Sequence, residues 1–246
     1  MGYITEIDLW FGDSYTVGSE LAYHYGEYRL NNPAHRFVNT ERERPDLAFT
    51  HIVSSVRNKE YINLGSSGSA IGSQLYKLIK FCKTEYDGSK SYTAFFSLPI
   101  SDRFFKINNN GEHIIGNGSD CSNYTIMDID YVKYNTTITL NTIYLICKEF
   151  NIKPWFFSQL LPIEVFDELD LIPPENWLIP KDSWLLKEAW GLNEPVLKWR
   201  WLRTVMNPPV QFVEYVKPCG NHPNIQGHEK IADLIIQLLL KSKNQK

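Results

Sequence analysis

Apolar and polar positions along the chain alternate between short β-prone runs and longer amphipathic stretches. Ile4 to Phe11 reads as a first strand and ends in Gly12-Asp13-Ser14. Tyr61 to Leu64 is a second short run, entering the Gly/Ser-rich turn Gly65-Ser66-Ser67-Gly68-Ser69. Tyr92 to Leu98 is almost wholly apolar and bounded by turn residues, as a strand buried on both faces should be. Lys153 to Ser158 gives a fourth strand. Helices are predicted between these runs, from about Val17 to Gly26, Leu47 to Val56, Ile71 to Cys82 and Tyr131 to Phe150. Strand and helix therefore alternate, which predicts an α/β fold, a three-layer αβα sandwich around a parallel central sheet. Right-handed crossovers in such a sheet bring the C-terminal ends of all its strands to one edge.

The remaining segments break this rhythm. Leu30 to Asp46 is polar, contains Pro33 and Pro45, and reads as a surface loop whose charge run at Glu41 to Arg44 is a solvated face. Residues 106–124 are rich in Asn, Gly and Ser and are expected to form an exposed loop. Residues 159–209 hold five of the seven tryptophans together with Pro162, Pro173, Pro174, Pro180 and Pro195. This stretch reads as a Trp/Pro-rich insertion within one domain spanning 1–246, either a lid or a cover for one flank of the sheet. Val210 to Val216 is a candidate last strand. Asn224 is placed to cap a closing helix that runs to about Lys241, with Ile231, Leu234, Ile235 and Leu238 on its inner face.

A chain of 246 residues, 43% hydrophobic and 22% charged, has the composition of an ordinary globular domain and needs no disulfide or metal to fold. Its net charge of −3 gives no electrostatic reason to expect a nucleic-acid or anionic-membrane partner. The four cysteines, Cys82, Cys121, Cys147 and Cys219, are widely spaced, as reduced thiols would be. The first ten residues carry Glu6 and Asp8 without a basic flank and do not read as a signal peptide, so a chain that is cytoplasmic when made is expected. The longest apolar stretch, Ala232 to Leu240, is broken by Asp233 and Gln237 and is too short to span a bilayer.

Two distant residues could do chemistry together. Ser14 sits where a strand ends and a helix is due, so its hydroxyl would lie at the sheet's C-terminal edge, near backbone N–H groups able to hold developing negative charge. A serine hydroxyl becomes a useful nucleophile only when a base takes its proton, and this requires a histidine. His222, held extended by Pro223 just before the closing helix, is the candidate. A Gly-Asp-Ser tripeptide by itself is equally compatible with a simple turn or helix cap.

Gly12-Asp13-Ser14 near the start, and His222-Pro223-Asn224 with Gly227-His228 near the end, together resemble the GDSL/SGNH hydrolase family, whose last block reads Asp-x-x-His-Pro-Asn-x-x-Gly-His. The resemblance implies a flavodoxin-like SGNH fold without a cofactor, with Ser14 as nucleophile and His222 as base. It also implies an oxyanion hole formed by the backbone N–H groups of Ser14 and Gly68, since Asn63 to Gly68 is similar to the family's second block. Two departures accompany it. The asparagine of the family's third block has no counterpart in Pro99-Ile100-Ser101-Asp102-Arg103, where Ser101 is the candidate substitute. Where the family has an aspartate three residues before the histidine, this chain has Cys219. A thiol cannot orient an imidazole or stabilise its cation as a carboxylate does. A Ser–His dyad held by a backbone carbonyl or by another carboxylate is then required, and sequence does not assign that role to Asp13, Asp102 or Glu229.

Two further readings stay open. Cys219, His222 and His228 have the spacing Cys-x2-His-x5-His, three potential zinc ligands, although the family pattern already accounts for both histidines and implies no metal. Arg103 could hold an anionic group of a substrate or make a structural ion pair. The stretch Phe96 to Arg103 is similar to bacteriophage-encoded members of the family. The expected activity is that of a serine esterase or acylhydrolase on a small-molecule or glycan-linked ester, with carbohydrate O-deacetylation as one case. The alternative is a catalytically impaired binding or structural protein on the same fold, such as a virion component or one making homo-oligomer contacts.

Overall fold

The computed structural model describes residues 5–18, 45–66, 69–99, 103–107, 113–117, 129–191 and 222–243. Four strands form an all-parallel sheet: β1 (Glu6–Phe11), β2 (Glu60–Asn63), β3 (Ser91–Leu98) and β6 (Ile152–Ser158), in the order β2-β1-β3-β6. On one face lie α1 (Phe49–Val56) and α5 (Ile225–Lys243), with the short α4 (Leu185–Trp190) against α5. On the other lie α2 (Ile71–Thr84) and α3 (Ile129–Glu149). The three predicted layers are present.

The alternation of side chains along each strand divides the core in two. Ile7, Leu9 and Phe11 of β1, with Tyr92, Ala94, Phe96 and Leu98 of β3, pack against Leu78 and Phe81 of α2 and Ile143 of α3. Trp10, Phe95, Trp155 and Phe157 point the opposite way, against Phe49, Val53, Ile231 and Ile235. Residues paired in register stack across the sheet: Trp10 on Phe95 at 4.1 Å between ring centroids and Phe11 on Phe96 at 4.7 Å. Phe96 in turn lies 5.1 Å from its partner Phe156. These aromatic rungs fix the register of the central strands. Cys82 and Cys147 are free thiols on the α2/α3 side. Burial pushes the Cys82 thiol up to about 11 and Cys147 higher still, so both behave as apolar filler.

The described part of the Trp/Pro-rich stretch wraps the β6 edge of the sheet. Trp177 forms a parallel bridge with Phe156, and the Leu178 N–H donates to the Phe156 carbonyl at 2.8 Å. Its side chains enter both cores, Ile163, Ile172 and Trp177 on one side and Leu178, Trp184, Leu185 and Trp190 on the other. Of the two roles expected for this stretch, residues 159–191 fill that of a cover for the sheet's flank. α4 stops at Gly191, whose φ of 65° is the left-handed cap that glycine adopts at least cost.

Several expectations are corrected. A helix from Val17 does not begin there: residues 14–18 form a turn that Gly18 closes at φ 64°. The segment expected as an exposed loop at 106–124 contains most of an antiparallel hairpin, β4 (Arg103–Ile107) with β5 (His113–Asn117). Its signal was in the sequence: two short runs rich in aromatic and β-branched residues flank Asn108-Asn109-Asn110-Gly111, and Asn-Gly is strong hairpin chemistry. The expected inner face of α5 packs on the core, and Ala232 and Leu239 extend it. Ile231, Ala232, Ile235 and Leu239 are buried, and Leu234 and Leu238 only partly. The candidate strand at 210–216 and the rest of the expected first helix lie outside the described residues.

One buried polar network interrupts the α1 face. Asp8 is 1% exposed and accepts from Arg57 Nη1 at 2.6 Å and from Ser54 Oγ at 3.2 Å, while Trp10 Nε1 donates to Ser54 Oγ at 2.9 Å. Burial holds the Asp8 carboxyl above the usual carboxylate range, opposed by the charge of Arg57. Arg57→Met keeps an apolar stem but strands that carboxylate, so urea unfolding near neutral pH is expected to show a loss of about 3 kcal/mol. The loss should shrink in acid, because a protonated Asp8 needs no cation. An equal loss at both pH values would show that Asp8 does not carry the effect.

Candidate active site

The order β2-β1-β3 creates a topological switch point at the end of β1. The chain crosses from β1 to β2 over the α1 face and returns from β2 to β3 over the α2 face. In open α/β sheets the C-terminal edge at such a point is where ligands are held. Ser14 stands at this point, three residues past the last residue of β1 and 7% exposed.

The turn carrying Ser14 is unusually crowded. Thr16 N–H donates to the Asp13 carbonyl at 3.1 Å, and Tyr15 N–H donates to Asp13 Oδ1 at 3.1 Å. Asp13 thus spends one carboxylate oxygen on shaping the turn. A Cβ on Gly12 would lie 1.9 Å from Thr16 Oγ1 and 3.0 Å from Ser97 Cβ, so only glycine lets the chain fold back here against β3. Asn63, the last residue of β2, ties the next turn to this one. Its Nδ2 donates to the Thr16 carbonyl at 2.9 Å and its Oδ1 accepts from Gly65 N–H at 2.9 Å. Ser66 N–H adds a bond to the Gly12 carbonyl at 3.1 Å. Beneath lies a buried lysine, Lys77 of α2, whose Nζ donates to the Leu64 carbonyl and to Ser66 Oγ, both at 2.7 Å. Both turns are held from below by side chains.

His222 reaches the same edge. It is half-buried just before α5, and its imidazole lies 5.5 Å, centroid to centroid, from the ring of Tyr15, the neighbour of Ser14. Asn224 caps α5 as expected, with its Oδ1 accepting from Gly227 N–H at 2.8 Å. His228 has a different task. Fully buried, it accepts the Phe49 N–H on Nδ1 at 3.2 Å and lies over the Phe49 ring, so it caps the start of α1 from a distant part of the chain. That bond puts its proton on Nε2 and commits Nδ1 to the fold rather than to a metal. Among the described residues no group of three His, Cys, Asp or Glu could hold a metal ion.

The structure thus brings Ser14 and, through Tyr15, His222 to one edge. Glu229 is exposed on α5. Arg103 opens β4 immediately after the third strand, and only its backbone is described. Gly68, Ser101, Asp102 and Cys219 lie outside the described residues. Sequence reasoning missed Asn63, Lys77, Gln74 and Ser97 as supports of the site. Gln74 Nε2 donates to the Ser97 carbonyl at 2.9 Å. A signal was available: Gln74 and Lys77 interrupt the i, i+3, i+4, i+7 apolar face of α2 completed by Leu78 and Phe81, and polar residues on an inner face need inner partners.

No protein-family model matches the chain, and no characterised protein matches it in sequence. Solved structures do match. A carbohydrate esterase, described as showing divergent catalytic and non-catalytic binding functions in its active site, is 13% identical with a TM-score of 0.50, over 98% of this chain and 70% of that one. The acetyl xylan esterase Est2A of the rumen bacterium Butyrivibrio proteoclasticus is 11% identical with a TM-score of 0.50, over 99% of this chain. This chain spans 65% of the length of Est2A. A lipolytic protein of the G-D-S-L family from Veillonella parvula is 15% identical with a TM-score of 0.43, over 96% of this chain and all of that one. The chain shares the α/β fold of these two carbohydrate esterases.

Gly12→Ala is expected to force Thr16 and β3 apart and to cost about 1–3 kcal/mol by thermal or urea unfolding. An unchanged midpoint would mean that the turn after β1 has more room than its contacts indicate.

Proposed function

We propose that the chain is a serine esterase or acylhydrolase in which Ser14 attacks an acyl carbonyl and His222 takes the Ser14 proton. The observation that carries this reading is the convergence at the switch point. Ser14 opens the turn after β1, and the ring of its neighbour Tyr15 lies 5.5 Å from the imidazole of His222, which is 208 positions further along the chain than Ser14. The fold shared with carbohydrate esterases supports the same chemistry, and it makes an ester on a glycan, such as an O-acetyl group, the favoured substrate class.

In the proposed reaction the Ser14 Oγ–H bond breaks as Oγ bonds to the acyl carbon, and the proton passes to a His222 ring nitrogen. The carbonyl oxygen becomes an oxyanion held by the N–H groups of Ser14 and Gly68, with Ser101 in place of the family's asparagine. Arg103 is assigned to an anionic part of the substrate. His222 then returns the proton to the departing alcohol, and water, deprotonated by the same histidine, releases the acid and restores Ser14. Asn63 and Lys77 are positioning residues, since they fix the turns that carry Ser14 and Gly65. Cys219 favours the second reading, a binding protein on the same fold, because a thiol there leaves the imidazole without the family's carboxylate.

Purified protein should hydrolyse p-nitrophenyl acetate, and Ser14→Ala and His222→Ala should each lower kcat by at least about 10³-fold. A fluorophosphonate should label the folded wild type and not Ser14→Ala. Turnover surviving in Ser14→Ala removes the proposed nucleophile. Absence of both turnover and labelling in folded protein selects the binding reading.

A further inference from the structure

Among the described residues nine large apolar side chains are exposed, and six of them share one face of the molecule. Tyr131, Tyr134, Ile138 and Leu145 form a stripe along the outside of α3, and Leu169 and Leu171 stand beside it, each 43–57% exposed. We propose that two copies of the chain pair through this face, α3 against α3, about a two-fold axis. The inference does not depend on the esterase reading.

A helix that covers a sheet needs one apolar stripe and is polar on its other side. α3 meets the first requirement with Leu140, Ile143 and Cys147, which are buried in the core. The second it does not meet. At the helical repeat, positions 131, 134, 138 and 145 fall within about 60° of one another, on the side opposite to that core. Thr142 lies on the same side, and its hydroxyl donates back to the Ile138 carbonyl at 2.7 Å, so its polar atom is spent within the helix. Asn141, on the flank of the stripe, ties the loop after β6 along α3. Its Nδ2 donates to the Leu169 carbonyl at 2.6 Å, and its Oδ1 accepts from Leu171 N–H at 2.9 Å. Thr137 Oγ1 accepts from Phe166 N–H at 3.0 Å in the same way. Leu169 and Leu171 therefore widen the stripe and are held in place.

Size and symmetry select a second copy as the occupant. Six side chains of roughly 200 Å², about half exposed, present on the order of 600 Å². A stable pair takes about 800 Å² from each partner, and the polar rim of α3 supplies the rest. From Tyr131 to Leu145 the stripe is about 21 Å long, with Ile138 at its middle. A two-fold axis through Ile138 sets that residue against its own copy, and Tyr131 and Tyr134 against Leu145 of the second chain. The same antiparallel arrangement brings Asp130, in the first turn of α3, to Lys148, in the last turn of the other helix, and opposes the two helix dipoles. An anionic membrane is disfavoured, because Glu149 and Glu168 are exposed beside the stripe.

Sedimentation of the full chain from about 1 to 100 µM should show a species of twice the chain's mass. Ile138→Glu/Leu145→Glu sets like charges across the pair and should weaken association at least about 100-fold, with the circular dichroism unchanged. Leu240→Glu alters an exposed leucine on α5 and should associate as the wild type does. Ile138→Cys, on the axis, should form an intermolecular disulfide on oxidation that neither the wild type nor Leu240→Cys forms. A monomer over the whole range, a dimer unaffected by the double variant, or equal cross-linking through Leu240→Cys would overturn the proposal. Loss of the fold in the double variant would show that the stripe is buried within the chain, which overturns it as well. Ester turnover by Ser14→Ala bears only on the esterase reading.

Discussion

At the end of β1 the backbone folds back on itself in the space that a side chain at position 12 would occupy, and the candidate site follows from that contact. With Thr16 Oγ1 only 1.9 Å from where a Cβ would lie, the turn packs directly under β3. The Thr16 carbonyl then faces the side chain of Asn63, and the Gly12 carbonyl faces Ser66 N–H. The turns after β1 and β2 become one hydrogen-bonded body. A hydroxyl on such a body keeps its position as a substrate approaches, which catalysis by orientation requires.

The two faces of the sheet are built differently. The α2/α3 face is largely apolar, with Gln74 and Lys77 buried beneath the turns of the site. The α1/α5 face admits polar contacts: the Asp8–Ser54–Trp10–Arg57 network, and the Phe49 N–H received by His228. The second of these joins α1 to α5 and holds the segment that starts at His222 against the sheet. A motif residue that looks chemical in sequence thus acts through the fold, by fixing where the neighbouring histidine can stand. Helix direction also separates charge across the molecule. Helix N-termini and the turn of Ser14 share one edge, while C-termini and their cations share the other, so a net charge of −3 coexists with a cluster of cations.

Much of this was legible in the chain. The strands at 92–98 and 153–158 were readable because nearly uninterrupted apolar runs have no stable place except a sheet covered on both sides. Ser14 and His222 stood out as candidates because of their neighbours: Gly12 leaves room for a tight turn, and Pro223 holds the histidine extended. The hairpin at 103–117 was misread because its Asn/Gly-rich turn outweighed two five-residue strands, and the start of a helix at Val17 because nothing local reveals that Gly18 takes a left-handed φ.

Sequence by itself determined the alternation of strand and helix and the parallel sheet, and marked Ser14 and His222 as candidates, since periodicity acts over a few neighbouring residues. Tertiary structure alone decided that His228 Nδ1 receives the Phe49 N–H at the start of α1, that Asn63 and Lys77 hold the turns of the site, and that five cations share a cleft. Each of those facts depends on which helix lies over which strand. Such long-range contacts are set by the packing of the whole core, and no local pattern encodes them.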